Sequence, residues 1–173
     1  MRLFIAINFP PEIKANIAKI RNCLKENSLR GNFTFDENLH LTLVFLGECD
    51  SKELKTIIEI LNNTNFQIFT LMFDKVGYFK RDSGNTWWIG LKENKILSDL
   101  QEDLTKRLIK SGFNLEDRKY TPHITIGREV KMTSGFTKPE APPTSFSVEN
   151  IDLMKSEHIN GKLTYTKVYS KNF

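Results

Sequence analysis

The sequence has 173 residues, the length of one domain or of two closely packed lobes, which excludes a large multidomain enzyme. Hydrophobic residues make up 39% and charged residues 27%, a balance that supports a folded core and excludes collagen-like, disordered and membrane-spanning chains. With 25 basic and 21 acidic residues, the formal net charge of +4 is compatible with a polyanionic partner but does not identify one.

The cysteines and the N-terminal segment bear on the compartment. Cys23 and Cys49 lack the dense, even spacing of secreted disulfide-rich domains. The first apolar stretch meets Pro10 and Pro11 too early to be the core of a signal peptide, and no stretch approaches the ~20 apolar residues of a transmembrane helix. We therefore expect a cytoplasmic protein without a membrane anchor.

The first half of the chain predicts alternating strands and helices. Residues 3–9 have the continuous apolar character of a buried strand, and the proline pair after it opens a helix with apolar residues every three to four positions. The next elements are a polar turn at 27–32, a strand at 39–46, a helix capped by Ser51, strands at 66–73 and 76–79, and a turn at 80–85. We place a boundary between two lobes at this last turn, giving lobes of about 1–82 and 83–173 within one bilobal domain spanning 1–173, with an exchange of strands between them allowed.

The second half repeats the order strand, helix, strand. Its elements are a strand at 86–91, a helix that stops at Ser111-Gly112, and a strand at 120–128. In the first half, 35 residues separate Ile5 of the opening strand from His40. In the second half, 34 residues separate Ile89 from His123. We infer a weak internal duplication, and hence two related lobes.

After the second of these strands the two halves diverge. Residues 129–145 contain three of the six prolines and predict a long loop where the first half has a helix. Strands at 146–154 and 163–169 close the chain, with a turn near Asn160-Gly161 between them.

Two of the three histidines, His40 and His123, are each followed two positions later by a threonine, Thr42 and Thr125. Residues two apart in a strand project from one face about 6.6–6.8 Å apart, so each segment can present an imidazole beside a hydroxyl. A single such pair is typical of ordinary half-buried strand residues. Its repetition favours one shared cleft, since packing has no reason to choose the same polar pair twice. His158 lacks the pattern, and we expect it in a turn.

Several segments together resemble a known family. They are Phe4-Ile5-Ala6-Ile7 with Pro10, Asn38-Leu39-His40-Leu41-Thr42-Leu43 with Phe45-Leu46-Gly47, Pro122-His123-Ile124-Thr125-Ile126 with Arg128, and Ser156, Gly161 and Tyr165. On these residues the chain resembles the two-histidine (2H) phosphoesterases of the LigT-like group, the RNA 2′,3′-cyclic phosphodiesterases also called 2′-5′ RNA ligases. The paired His-x-Thr motifs are the specific part. Departures are Gly127, where the family often has alanine, and Glu157-His158, where an apolar residue is common.

The resemblance implies an α+β fold with two pseudo-symmetric lobes, each a mainly antiparallel sheet with helices on its outer face, and an active-site cleft between them. It implies hydrolysis of RNA 2′,3′-cyclic phosphate ends to 2′-phosphomonoesters, with reversible 2′-5′ RNA ligation as a further activity. His123 is then the base and His40 the acid. Thr42 and Thr125 would hold the phosphate oxygens, and Arg128 would bind the substrate's charge. The chemistry agrees, because opening a cyclic phosphate needs a proton acceptor and a proton donor that flank the phosphorus.

No cofactor is expected. The sequence has no His-Glu-x-x-His or Cys-x-x-Cys motif, so we predict catalysis without a metal. The expected partner is RNA or an oligonucleotide with a 2′,3′-cyclic phosphate, and we expect a monomer with no membrane contact. Basic residues flanking the second motif are candidates for contacts to RNA, and Tyr120 is a candidate for base stacking or core packing; the basic residues are Arg118, Lys119, Arg128, Lys131 and Lys138.

Two alternatives stay open at this stage. One keeps the chemistry but changes the substrate to a 2′-5′ oligonucleotide or a small cyclic nucleotide. The other, of a different class, is a non-catalytic RNA-binding module, although the chain lacks the glycine-rich aromatic strand of the common RNA-recognition fold. Turnover of a 2′,3′-cyclic phosphate distinguishes the enzyme from the binding module.

Overall fold

Two antiparallel sheets and three helices share one hydrophobic core in the part of the chain that the structure describes. The computed structural model describes residues 1–116 and 119–173. The elements are β1 (Arg2–Asn8), α1 (Pro11–Glu26), β2 (Ser28–Phe33), β3 (His40–Glu48), α2 (Ser51–Asn62), β4 (Phe69–Phe79), β5 (Asn85–Leu91), α3 (Lys95–Lys110), β6 (His123–Met132), β7 (Ser145–Val148), β8 (Asn150–Ile159) and β9 (Lys162–Asn172). The α+β class with mainly antiparallel sheets is confirmed.

The order of the strands reveals the relation between the two halves. The four-stranded sheet runs β3-β1-β8-β9, and the five-stranded sheet runs β2-β6-β5-β4-β7. Each sheet pairs a His-x-Thr strand, β3 or β6, with the strand that opens its half of the chain, β1 or β5. The next strand comes from the other half, since β8 pairs with β1 and β4 pairs with β5. The halves are therefore related by an exchange of strands.

The turn after residue 79 joins two neighbouring strands of one sheet. Tyr78 pairs with Trp87, and Phe79 pairs with Thr86, across this turn. The sheets thus do not divide the chain at residue 82, because β2 and β4 precede that residue and lie in the same sheet as β5 and β6. Glycine and polar residues mark a hairpin as strongly as they mark a linker, and the sequence alone does not distinguish the two.

Two segments of the five-stranded sheet differ from the prediction. Residues 28–33, five of which fall in the polar turn predicted at 27–32, form the edge strand β2, which buries little of its surface and so lacks an alternating apolar pattern. The strands predicted at 66–73 and 76–79 are one strand, β4. A register shift between Phe73 and Val76 accommodates the intervening polar residues, which look like a break in the sequence.

Several element ends also differ from the prediction. Asp50, not Ser51, caps α2, because its side chain accepts hydrogen bonds from two backbone N–H groups of the first turn. β6 continues to Met132, so the loop that follows is shorter than predicted. The strand predicted at 146–154 is divided at Glu149 between two sheets. His158 lies in β8 near its exposed end rather than in a turn.

The apolar faces of α1 and α3 pack into the same core as β1, β3 and β6. Their buried residues recur at helical spacing: Ile13, Ile17, Ile20 and Leu24 in α1, and Leu97, Leu100, Leu104 and Leu108 in α3. Full burial of one such side chain stabilises the fold by ~1.5–3 kcal/mol. The core therefore holds the two motif strands firmly. No described helix is long and apolar enough to cross a membrane.

Candidate functional site

Both His-x-Thr pairs begin a strand, and in both strands the alternation predicted from the sequence is present. Leu41 of β3 and Ile124 of β6 lie between the histidine and the threonine of their motifs, and both are fully buried. The histidines and threonines on the opposite face are half-buried. The core therefore anchors each motif through its aliphatic residues and leaves the polar pair at the surface of its sheet.

His40 is held by two hydrogen bonds. Its Nδ1 lies 2.7 Å from the backbone carbonyl oxygen of Asn38, and its Nε2 lies 3.0 Å from the hydroxyl oxygen of Thr42. Because a carbonyl oxygen can only accept, the hydrogen of the neutral ring is on Nδ1. Nε2 is then the atom available for proton transfer, with the Thr42 hydroxyl beside it.

His123 makes the same backbone contact. Its Nδ1 lies 2.7 Å from the carbonyl oxygen of Thr121, which precedes it by two residues, just as Asn38 precedes His40. This contact again places the hydrogen of the neutral ring on Nδ1. The internal duplication therefore includes the orientation of both rings.

Aromatic side chains pack against each imidazole. The rings of Phe4 and Tyr165 have their centroids 4.9 Å and 5.1 Å from that of His40. The rings of Phe79 and Trp88 have theirs 5.1 Å and 6.5 Å from that of His123. These contacts restrict the rotation of the two imidazoles.

The structure brings the two motifs together. β3 and β6 contact each other although they belong to different sheets. The phenol of Tyr120, which precedes the second motif, donates a hydrogen bond of 3.0 Å to the backbone oxygen of Thr42 in the first motif. Tyr120 therefore links the two strands, a role that the candidates of base stacking and core packing did not include.

The charges around His40 show the same proximity. The pKa of His40 is lowered from 6.5 to about 4, mainly by burial and to a smaller extent by the positive charges of Arg128, Lys14 and His123, against the opposing effect of the Asn38 carbonyl. His40 is consequently neutral at pH 7 in the protein without substrate.

Arg128 shares the face of the second motif. It pairs with Asn32 of β2, while the preceding Gly127 pairs with Phe33, whose side chain packs against the core. Consecutive strand residues point to opposite faces, so Arg128 points away from the core. The register shift between Thr125 and Gly127 inserts one extra residue in β6, so Arg128 lies on the face of His123 although five residues separate them in the sequence. The guanidinium is exposed. All five residues predicted for the site therefore lie on β3 or β6, the two strands that contact each other.

Asn38 contributes to the site in a way that the sequence did not reveal. Its side chain is 4% exposed, donates to the carbonyl oxygen of Leu163, and accepts from the N–H of Tyr165. These bonds tie the segment before β3 to β9, and they fix the carbonyl that orients His40. The second motif has threonine at the corresponding position, so the duplication gives no signal for Asn38.

A buried carboxylate lies on the four-stranded sheet next to β1. Asp152 is fully buried and accepts hydrogen bonds from the Asn8 amide at 2.7 Å and the Lys167 ammonium at 3.1 Å. Asn8 is the partner of His40 in the β1–β3 register. Within the described residues, the second carboxylate oxygen of Asp152 has no hydrogen-bond partner. No motif in the sequence indicates this network.

Residues 1–116 and 119–173 contain no group of three or more histidine, cysteine or acidic residues placed to hold a metal ion. Lys119 and Lys138 are exposed. Arg118, one of the basic residues noted beside the second motif, lies outside the described residues.

The chain is similar to proteins of one family. The model of the 2′-5′ RNA ligase superfamily matches residues 9–160. An RNA 2′,3′-cyclic phosphodiesterase of Thermotoga maritima is 38% identical over 131 residues, covering 74% of this chain and 70% of that protein. One of Escherichia coli is 31% identical over 169 residues, covering 95% and 92%.

A solved structure agrees with these matches. The crystal structure of E. coli LigT complexed with 3′-AMP superposes with a TM-score of 0.86 at 29% identity, covering 98% of this chain and 95% of that one. The similarity thus extends through both sheets and both motif strands, and it confirms the family indicated by the two His-x-Thr motifs. The chain belongs to the 2′-5′ RNA ligase superfamily.

Proposed function

We propose that this protein is an RNA 2′,3′-cyclic phosphodiesterase that opens the cyclic phosphate by acid–base catalysis with His40 and His123. The observation that carries the proposal is the contact between β3 and β6, each of which begins with a histidine whose Nδ1 is bound to a backbone carbonyl. The names of the relatives from T. maritima and E. coli support the same substrate.

The reaction needs one proton acceptor and one proton donor. A water oxygen attacks phosphorus while one histidine takes its proton, and the bond from phosphorus to the ribose 3′-oxygen breaks as the other histidine protonates that oxygen. The product is a 2′-phosphomonoester with a free 3′-hydroxyl. In ligation, the 5′-hydroxyl of a second RNA replaces water and attacks phosphorus, the 3′-oxygen leaves as before, and the histidines keep their roles. In the reverse reaction, the 3′-hydroxyl attacks the 2′-5′ linkage, the 5′-oxygen leaves, and the two histidines exchange roles.

The remaining site residues would stabilise charge on the phosphoryl group. Thr42 and Thr125 would donate hydrogen bonds to its non-bridging oxygens, and Arg128 would balance the negative charge that develops there. In the structure the Thr42 hydroxyl donates to the neutral Nε2 of His40. When His40 is protonated, Nε2 donates to the Thr42 oxygen instead, and the hydroxyl hydrogen can be donated to a phosphate oxygen. Thr42 would then also orient the substrate relative to the imidazole.

The roles of the two histidines follow the family resemblance, with His123 as base and His40 as acid. Because its pKa is lowered to about 4, His40 is neutral near pH 7 in the empty site and can accept a proton but not donate one from Nε2. An acid role therefore requires that the bound phosphodiester anion raise this pKa, as an opposite charge within ~4–6 Å does. The assignment stays a proposal, and the leaving group offers a direct test of it.

The first experiment measures hydrolysis of an RNA that ends in a 2′,3′-cyclic phosphate. We expect His40→Ala and His123→Ala each to lower kcat by at least ~10²–10⁴ while circular dichroism remains that of the wild type. His158→Ala, an exposed position, is the control and should keep its activity. Turnover near the wild-type rate in either of the first two variants would contradict the proposal.

The second experiment assigns the acid. In a substrate whose 3′-bridging oxygen is replaced by sulfur, the leaving thiolate needs no proton, because a thiol has a much lower pKa than a ribose hydroxyl. We expect His40→Ala to recover activity on this substrate and His123→Ala to remain inactive. Recovery by His123→Ala alone would reverse the two roles. The cytoplasmic location and the monomeric state stay predictions.

A further inference from the structure

Positive charge continues along β6 beyond the site. Lys131 is exposed and pairs with Arg30 of β2, and Arg128 pairs with Asn32. Directly opposed residues of paired strands share one face. The register shifts between these two pairs, because Arg128 and Lys131 are three residues apart on β6 while Asn32 and Arg30 are two apart on β2. Glu129, which has a positive φ of 53°, lies in this irregular segment. Arg128 and Lys131 therefore lie on the same face of the sheet as His123.

A further cation lies at the end of this row. The guanidinium of Arg30 donates a hydrogen bond of 2.9 Å to the backbone oxygen of Ser83, in the turn that joins β4 and β5. Arg81 belongs to the same turn and is exposed. We refer to Arg30, Arg81, Arg128 and Lys131 as the basic strip.

Positive charge exceeds negative charge around the basic strip in the described residues. None of its four residues forms an ion pair with a carboxylate in residues 1–116 and 119–173, although Asp82 lines the same surface cleft as Arg81 and Lys131. On the four-stranded sheet the situation differs, since Lys155, Lys162 and Lys167 each pair with a carboxylate. Glu129 lies beside the strip but is hydrogen-bonded to Asn32. The strip therefore keeps a positive potential for an anionic partner.

The length of the strip exceeds one nucleotide. Thr125 and Lys131 are six residues apart on β6, but each of the two register shifts between them adds a residue without lengthening the paired strand. Four paired positions at ~3.3 Å each separate them by roughly 13 Å. Exposed cations arranged along a strand over such a distance suit successive phosphates of a single-stranded nucleic acid.

We propose that the basic strip binds the phosphodiester backbone of the RNA nucleotides that precede the cyclic phosphate. The location of the cyclic end itself rests on the proposed function above. The strip adds that the substrate class is an oligonucleotide, whose body follows β6 from Arg128 to Lys131 and Arg30. A mononucleoside cyclic phosphate then uses the site without the strip.

Binding tests the strip independently of turnover. Fluorescence anisotropy with a labelled eight-nucleotide RNA ending in a 3′-phosphate compares the wild type with Lys131→Gln and Arg30→Gln. We expect each variant to bind roughly three- to tenfold more weakly, and the salt dependence of log K to decrease by ~0.7 per lost phosphate contact. Lys55→Gln, on the exposed surface of α2, is the matched control and should bind like the wild type. Glu129→Gln should strengthen binding.

Turnover provides the second measurement. We expect kcat/KM of the wild type to be higher for the eight-nucleotide cyclic phosphate than for a mononucleoside 2′,3′-cyclic phosphate. Lys131→Gln should lower the first value and leave the second unchanged. Equal losses on both substrates, or no loss of RNA binding in either strip variant, would overturn the proposal. If the wild type opens neither substrate, the proposed function fails, while the anisotropy result still decides whether the strip binds RNA.

Discussion

Replacing His40 with glutamine is expected to flatten the dependence of the unfolding free energy on pH between about 7 and 4. Burial in the folded protein lowers the pKa of this imidazole from 6.5 to about 4. Between these values the unfolded chain binds a proton at His40 and the folded protein does not. The unfolding free energy of the wild type therefore falls as the pH falls through this range.

The size of the effect follows from the two pKa values. Since one pKa unit corresponds to about 1.36 kcal/mol, a decrease of the His40 pKa from 6.5 to about 4 is worth about 3 kcal/mol. This contribution is fully present above pH 6.5, is lost progressively on acidification, and changes no further below pH 4. For a domain with a total stability of ~5–15 kcal/mol the change is large enough to measure.

Urea denaturation at a series of pH values, followed by the fluorescence of Trp87 and Trp88, measures the difference. Between pH 7 and pH 4, the unfolding free energy of the wild type should decrease more than that of His40→Gln. His158→Gln removes an exposed histidine and is the matched control. Parallel curves for the wild type and His40→Gln, or an NMR titration of His40 with a midpoint near 6.5, would refute the role of burial.

Three further predictions concern the site. Thr42→Val and Thr125→Val should each lower kcat by about 10²-fold in the hydrolysis assay, because each removes a donor to the phosphoryl oxygens. Asn38→Ala should lower the unfolding free energy measured in urea by ~1–3 kcal/mol, since the hydrogen-bonding groups of β9 lose their partner. Adding EDTA should leave the rate unchanged, and a loss that Mg²⁺ or Zn²⁺ restores would indicate a metal-assisted reaction.

The parts of the site that the sequence predicts are those that depend on period-2 alternation. His40 and His123 share with their threonines a face opposite to buried aliphatic residues, and this arrangement follows from strand geometry alone. Their meeting could be inferred only from the duplication and the family resemblance, because pairing between distant strands leaves no local pattern. The edge strand β2 was missed for a related reason, since its stability comes from backbone pairing with β6.

The roles of Asn38 and Tyr120 could not be predicted from the sequence because both side chains bind backbone groups. Asn38 and Tyr120 both contact main-chain groups, and their partners lie 125 and 78 residues away in the sequence. Such contacts require only a donor or acceptor at the right place, so they impose no motif on the partner. The basic strip is hidden similarly, as Arg30 and Lys131 become neighbours only through the β2–β6 register.

The exchange of β4 and β8 has a consequence for any attempt to divide the molecule. A chain cleaved in the turn after Phe79 would give one fragment in which β1 lacks its neighbour β8, and another in which β5 lacks β4. Each fragment alone would expose an unpaired strand edge, the usual starting point of aggregation. The two fragments together contain the complementary strand edges, so we expect them to restore the fold only when they are mixed. Neither fragment alone should be catalytically active.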